Sequence, residues 1–561
     1  MAYLSSKTLF FTTSPRSPEK MIPEIELLFK HFEGQVWNTS SQEEFIDLLA
    51  KSDFYLGTGS PKNKALSARD RITRAPKALG FVDLKPVVRI TESGNAFIFG
   101  ERPREVLLRQ LLKFQLPSPY HLETAHVKGA FHIRPYLEIF RLIREVDSLT
   151  FDELKIFALF MTDYRQFEGV KSAILSFREQ KEKRKGEYRQ LVEEAFNSAI
   201  AKAFEDEISE KRTQTRETSD ASLRKFISVK RSNLRDYADA CLRYLRFTGL
   251  VSLAHRQRKI VFLPERLAEV DYFLEKIDRE PVFINDEGKY KKHLFSVANP
   301  VLLTDSKESA LNEVMKLEEH TRCELEAKTV PELLTLRDEI VSKRKQAIID
   351  VQVEEIKSYA LYSEIIDTYN EILSRQIYDA PLMLEYNTWR AMTMLNGGVV
   401  KGNFKFDDAG QPLSTAPGNV PDVECDYDDF ALSVEVTLQR GQRQYETEGE
   451  PVARHYGQLK DRVKKESYCL FVAPVVNPAA LAHFYALNNM DIQYYGGKTQ
   501  IIPLDLNQFM KLIEKSYSFD GRPNHTHVEQ FLRSAIIRCL DASSEIEWKG
   551  KIEECVQTWL S

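Results

Sequence analysis

The sequence predicts a multidomain α+β protein, and three observations carry that prediction. A chain of 561 residues exceeds what one hydrophobic core organises, since domains average roughly 150 residues. Its 43% hydrophobic and 29% charged residues describe an ordinary globular chain rather than a disordered one. Stretches of helical period alternate with short stretches of period two, so both element types are needed. No run approaches the roughly 18 apolar residues of a membrane span. The opening MAYLSSKTLFF lacks the apolar region and cleavage site of an export signal. The six cysteines are scattered with no CxxC pair, which argues against a zinc site or a disulfide framework and for a reducing compartment. The expected location is the cytoplasm.

Charge divides the chain into two halves with different tasks. Residues 1–270 carry 45 Lys and Arg against 36 Asp and Glu, whereas residues 271–561 carry 33 against 47. A basic front suits a polyanion and an acidic back suits metal-assisted chemistry.

The basic half repeats one local grammar. Residues 65–79 (ALSARDRITRAPKAL) read as a basic helix whose last turn is limited by Pro76. Gly80 stops it, FVDL extends, Lys85-Pro86 turns, and VVRIT returns. Residues 233–247 (NLRDYADACLRYLRF) place Leu234, Tyr237, Ala238, Cys241, Leu242 and Leu245 at helical spacing. Gly249 stops that helix, LVSL extends, HRQRK (255–259) makes a basic tip, and IVFL returns. A helix followed by a two-stranded hairpin with a basic tip is the pattern of a winged helix, in which a helix enters the major groove and the wing touches phosphates. We therefore expect winged-helix-like DNA-recognition subdomains at 1–150 and 151–280. The stretch 205–220, charged and rich in Ser and Thr, reads as a connection. From about 306 to 380 the pattern is almost continuously helical with one break near Pro331, giving a helical linker over 281–375.

The remaining residues, 376–561, carry the chemistry. Residues 384–394 (LEYNTWRAMTM) read as a helix bearing Glu385. In 430–437 Phe430, Leu432, Val434 and Val436 alternate with Ala431, Ser433, Glu435 and Thr437, which is a strand with Glu435 facing away from the valines. A charged turn (YETEGE) follows, then an amphipathic helix over 454–467. Strands at 468–473 and 500–505 complete the order. Asp422 lies thirteen positions before Glu435, and a hairpin between them brings both carboxylates to one point. Oxygen ligands of that kind suit Mg²⁺, which binds through one or two carboxylates plus waters and substrate phosphates. Pro-Asp, a dozen residues, then Glu-x-x on a strand is the PD-(D/E)xK nuclease pattern, with Thr437 in place of its lysine. His525 and His527, with no nearby partner for a metal, read as loop residues.

The chain resembles the AlwI-type family of type IIS restriction endonucleases over almost its whole length. The residues that carry the resemblance are SPRSPEKMIPE (14–24), FEGQVW (32–37), ARDRIT (68–73), RITESG (89–94) and ERPREVLLRQLLKFQLPS (101–118). They continue with LRYLRFTGL (242–250), APGNVPD (416–422), EVT (435–437), EPVARHY (450–456) and YCLFVAP (468–474). The resemblance implies a bacterial, cytoplasmic, Mg²⁺-dependent endonuclease. Its front half would read a short asymmetric sequence, and its C-terminal PD-(D/E)xK restriction-endonuclease-like α/β core would cut a few base pairs away. It also implies site roles for Glu385, Asp422, Glu435, Glu448 and His455, with Asp422 and Glu435 as the metal pair. Glu446 and Glu450, beside Glu448, are the competing choices.

Arg16, Arg69, Arg71, Arg74 and Arg102 fall in family-like stretches of the basic half and are the candidates for DNA contact. Each reads as a phosphate contact or a structural ion pair before it reads as a base reader. The expected partners are double-stranded DNA and, for double-strand cleavage, a transient homodimer or a small nuclease subunit. A DNA methyltransferase is the expected genetic companion. A chain that cannot pair would nick one strand. The alternatives are a catalytically inactive winged-helix regulator, suggested by the missing lysine, and a repair or transposition nuclease.

Overall fold

The computed structural model describes every residue except 1, 5–6, 53, 56–60, 319, 375–376 and 396–397. The chain forms two compact units, Met1–Glu339 and Ile340–Ser561. Among the described residues, no helix is long and apolar enough to cross a membrane.

The first unit is mostly helical with short hairpins. Helical structure runs without interruption from Lys64 to Ala78, but its middle, Arg69–Arg74, is π-helical. Gly80 follows at φ 80°, and a short antiparallel pair forms between Val82–Asp83 and Arg89–Ile90. The second helix, Leu223–Phe247, is longer than its apolar pattern alone because it starts ten residues further back, where Ser222 caps it. Leu234, Ala238, Cys241, Leu242 and Leu245 are buried along it, as the spacing requires. Its hairpin pairs Val251–Ala254 with Lys259–Phe262, and His255, Arg256 and Gln257 all take positive φ to make the turn. Leu149 joins the outer strand through both of its backbone groups to Ile260. The basic residues of this helix do not share one free face. Arg224, Lys225 and Arg235 are exposed, but Arg246 is buried and Lys230 lies over the rings of Phe204 and Phe226.

The region expected as a helical linker contains Lys307–Leu317, Arg322–Glu326, Val330–Lys357 and Tyr362–Leu373. Pro331 does not break a helix here. It sits in the first turn of Val330–Lys357, where its missing N–H costs nothing, and the chain breaks just before it instead.

The second unit is built on a five-stranded sheet. The sheet and the helices that follow and flank it are α1 (Ala380–Leu395), β1 (Val399–Gly402), β2 (Val423–Tyr427), β3 (Phe430–Val436), α2 (Gln442–Val463), β4 (Glu466–Ala473), α3 (Pro478–Asn489), β5 (Ile501–Asp505), α4 (Leu506–Ser518), α5 (His525–Leu540) and α6 (Glu545–Thr558). The strand order is β5-β4-β3-β2-β1. β2 runs antiparallel to both of its neighbours, β1 and β3, whereas β3, β4 and β5 run parallel and are joined by helical crossovers. Every residue from Phe430 to Glu435 is buried although successive side chains point to opposite faces, so β3 is covered on both sides. Helix α1 packs on β1 to β3, and α2 packs on β3 and β4. The core gathers Trp389, Val434, Phe471, Phe484, Phe509 and Trp548 among others.

Two local expectations are corrected. Helix α2 begins at Gln442 rather than 454 and ends at Val463, so Glu448 lies inside a helix and not in a charged turn. Pro451 falls in its third turn and did not prevent the earlier start. His525 and His527 open α5, where Asn524 and His527 form a capping box.

Candidate active site

The β2–β3 hairpin brings Asp422 and Glu435 together. The register pairs Val423 with Val434, so Asp422, one residue ahead of β2, stands at the open end beside the last residues of β3. Its Oδ2 accepts the Val436 N–H at 2.8 Å, which locks the carboxylate against the strand. Glu435 is buried, and its Oε1 lies 2.8 Å from Nδ1 of His455 on α2. Glu448 and His455 are seven residues apart on that helix, two turns along one face. Thr437 donates its hydroxyl to Glu448 Oε1 at 2.9 Å, so the residue at the lysine position of the motif orients a second acidic group. Glu385 on α1 is buried and its Oε2 accepts the Ala416 N–H at 2.8 Å.

Electrostatics place these groups in one site. Burial and then the charge of Asp422 push the Glu385 carboxyl up to about 9. Burial, followed by Glu435 and Glu448, drives Asp422 well above the carboxylate range. Glu435 is raised in the same way by burial, Glu448 and Glu385, and Glu448 is raised chiefly by burial. His455 moves the other way, to about 4, because burial and the neighbouring Arg454 disfavour its cation. The ring is therefore neutral near pH 7. If Nδ1 donates to Glu435, then Nε2, buried and without a partner among the described residues, carries the lone pair.

Crowded carboxylates that hold protons too tightly describe a site short of positive charge. Among the described residues, no group of three or more His, Cys, Asp or Glu is close enough to hold a metal unaided. A pair, Asp422 with Glu435, still fits a hard divalent ion that takes its other ligands from water and phosphate. Glu446 and Glu450 stay outside this cluster as exposed residues, Glu450 paired with Arg454 at 3.1 Å. Sequence reasoning singled out no role for Arg454, although it lies in the family-like stretch EPVARHY next to His455.

The five arginines of the basic half are largely engaged within the chain. Arg71 pairs with buried Glu24 and lies over the Tyr55 ring. Arg102 pairs with Glu105 at 2.9 Å and Asp338 at 3.4 Å. Arg16 reaches Asp236 at 3.1 Å and Asp239 at 3.4 Å, yet its side chain is 45% exposed. Arg74 pairs with Asp70 and is 54% exposed, and Arg69 is exposed with Nε on the Ala65 carbonyl at 3.3 Å.

Comparison with known proteins gives the family. No curated protein matches the chain in sequence. Among solved structures it is similar to the small subunit (R.BspD6I2) of the heterodimeric restriction endonuclease R.BspD6I. The identity is 25% over 35% of this chain and 99% of that one, with a TM-score of 0.30. It is also similar to the BpuJ1 endonuclease binding domain, solved with pyrene- and phenanthrene-modified DNA. There the identity is 13% over 49% of this chain and 89% of the other, with a TM-score of 0.31. Overlap that low adds nothing to the structural argument. The family description "AlwI restriction endonuclease", however, matches residues 77–512, and by that match across most of its length the chain belongs to the AlwI restriction endonuclease family.

Proposed function

We propose that this restriction endonuclease is of type IIS. It reads a short asymmetric duplex sequence and hydrolyses phosphodiester bonds a few base pairs outside it, with Mg²⁺, leaving 5′-phosphate ends. The observation that carries the reading is the meeting of Asp422 and Glu435 at the open end of the β2–β3 hairpin. A helix bearing Glu385 ahead of that hairpin, and a crossover helix behind it, support a PD-(D/E)xK core over 376–561. The helix-and-hairpin units near 64–90 and 223–262 support winged-helix-like recognition subdomains at 1–150 and 151–280, with 281–375 as the linker. Arg16, Arg69 and Arg74 are assigned to phosphate contact on their exposure, while Arg71 and Arg102 serve mainly to hold the elements that present them.

Each residue of the cluster has a role in this reading. Asp422 and Glu435 would hold the divalent ion, which would supply Lewis-acid polarisation of the scissile phosphate and acidify a water. His455 fixes the Glu435 carboxylate through Nδ1 and presents Nε2 to the site. Thr437 fixes Glu448. Removing only that hydroxyl, Thr437→Val, is expected to slow cleavage about tenfold with DNA affinity unchanged, as single-turnover rates and anisotropy titrations would show. One active centre meets one strand polarity, so a double-strand break requires a second nuclease domain, from a transient homodimer or a small subunit. A chain acting alone nicks. A cognate DNA methyltransferase is the expected genetic companion, because an unopposed activity would cut its host.

Incubating supercoiled plasmid with protein and Mg²⁺, then run-off sequencing both strands, tests the reading with Asp422→Ala as control. Breaks at a fixed offset from one motif are expected. Absence of any break, with the control indistinguishable, would leave a DNA-binding regulator in its place.

A further inference from the structure

The position where the PD-(D/E)xK pattern carries lysine holds Thr437, which is buried and whose hydroxyl is committed to Glu448. A positive charge near the reacting phosphate must then come from elsewhere in the fold. We propose that Arg454 supplies it, its guanidinium binding the scissile phosphate beside Asp422 and Glu435. The inference rests on the nuclease reading above.

The geometry singles out this side chain. Arg454 directly precedes His455 on α2, and His455 touches Glu435 at 2.8 Å. Its Nη1 donates to Asn419 Oδ1 at 2.9 Å, and its Nε donates to Glu450 at 3.1 Å. Asn419 stands three residues before Asp422 and takes a left-handed φ of 68°. The guanidinium therefore bridges the loop that delivers Asp422 and the helix that delivers His455. Among the described residues none accepts from Nη2, and the side chain is 23% exposed, so donors remain within reach of a substrate. Its charge lowers the proton affinity of both Glu435 and His455, so its field reaches these two residues of the cluster.

Neighbouring cations are less well placed. Arg462 is held by Glu424 at 2.5 Å, and Lys465 by Asp426. Lys460 donates to the Gly496 carbonyl at 3.0 Å. Arg440 and Arg443 are exposed, and no described residue holds their guanidinium groups. A pre-positioned planar fork offers phosphate two parallel hydrogen bonds, remains charged throughout, and requires no reorganisation as charge develops on the phosphoryl oxygens.

The test measures single-turnover cleavage of a short duplex carrying the mapped site, for wild type, Arg454→Gln, Arg454→Lys and Asn419→Ala. DNA affinity is measured in Ca²⁺, and melting temperature reports folding. Expected are a loss of about 100-fold or more for Arg454→Gln and about tenfold for Arg454→Lys, which keeps charge but not the fork, with affinity within about threefold of wild type. Asn419→Ala, which removes a tether and keeps the charge, should lose less than tenfold. A rate for Arg454→Gln within threefold of wild type overturns the inference, as does an Asn419→Ala defect equal to it, which would mean the residue only ties the loop down. Should Arg454→Gln melt low, Arg454→Lys decides: tenfold slowing at the wild-type melting temperature supports the assignment and a wild-type rate overturns it. Wild-type protein that cuts nothing would sink the nuclease reading itself, a different result from cutting that ignores position 454.

Discussion

Asp422→Asn is expected to slow DNA cleavage by at least about 10³-fold and, in the same protein, to raise the melting temperature of the metal-free form at pH 8. The first effect follows from removing one of the two carboxylates that hold the ion. The second follows from the charge crowding. Asparagine can still accept the Val436 N–H that Asp422 accepts, so the local fold keeps that bond. What disappears is a buried ionisable carboxyl crowded by Glu385, Glu435 and Glu448, whose folding costs either a buried charge or a bound proton.

The sign is set by the direction of the shifts. Carboxyls raised by folding hold protons that the unfolded chain has given up, so metal-free stability falls as pH rises from the ordinary carboxylate range towards about 9, where Glu385 titrates. Removing one partner flattens that fall. A gain of about 2–4 °C is expected, the shift that roughly 1 kcal/mol produces in a domain of this size. Mg²⁺ should raise the wild-type melting temperature and raise that of Asp422→Asn much less. Scanning calorimetry at pH 5 and 8, with and without Mg²⁺, reads all of this. A variant less stable than wild type at pH 8 without metal would contradict the crowding argument, and cleavage within tenfold of wild type would contradict the assignment of Asp422.

The second large effect is structural. Phe471 is fully buried in β4, its ring 5.1 Å from that of Phe484, and its backbone pairs in register with Glu435. Phe471→Ala removes a large side chain where helices cover both faces and collapse is restricted. A cost of about 3–5 kcal/mol is expected, and with it a fall of about 10 °C in the melting of the second unit. Cleavage should fail at temperatures where wild type is active, whereas Asp422→Asn fails at every temperature. Urea unfolding separates them, since the midpoint drops for Phe471→Ala. An unchanged midpoint would mean that Phe471 is not part of the packed core of this sheet.

Much of the second unit was legible in the sequence because its signals are local. The alternation of Phe430–Val436, the apolar run 468–473 and the thirteen-residue separation of Asp422 from Glu435 each follow from backbone period alone. Helix α2 was less legible. Tyr445 to Glu450 looks like a charged turn by composition, yet the helix continues through it and buries Val452, Ala453, His455 and Tyr456 against the sheet. Tertiary burial of one face outweighed local propensity. In the first unit the two helix-and-hairpin patterns were readable, but the state of the arginines was not. Whether Arg71 meets Glu24, or Arg102 meets Asp338, depends on residues 47 and 236 positions away in the chain.

By itself, the sequence determined the division of charge, the strand that carries Glu435, the acidic pair and, through motifs long enough to be specific, the family. Only the tertiary structure decided that Thr437 spends its hydroxyl on Glu448, that His455 grips Glu435, and that Arg454 spans from α2 to the Asp422 loop. Backbone hydrogen bonding and side-chain period act over a few residues, so a sequence displays them directly. Ion pairs and buried contacts join groups that only the packed core brings within 3 Å, and their partners can be named only once that core is formed.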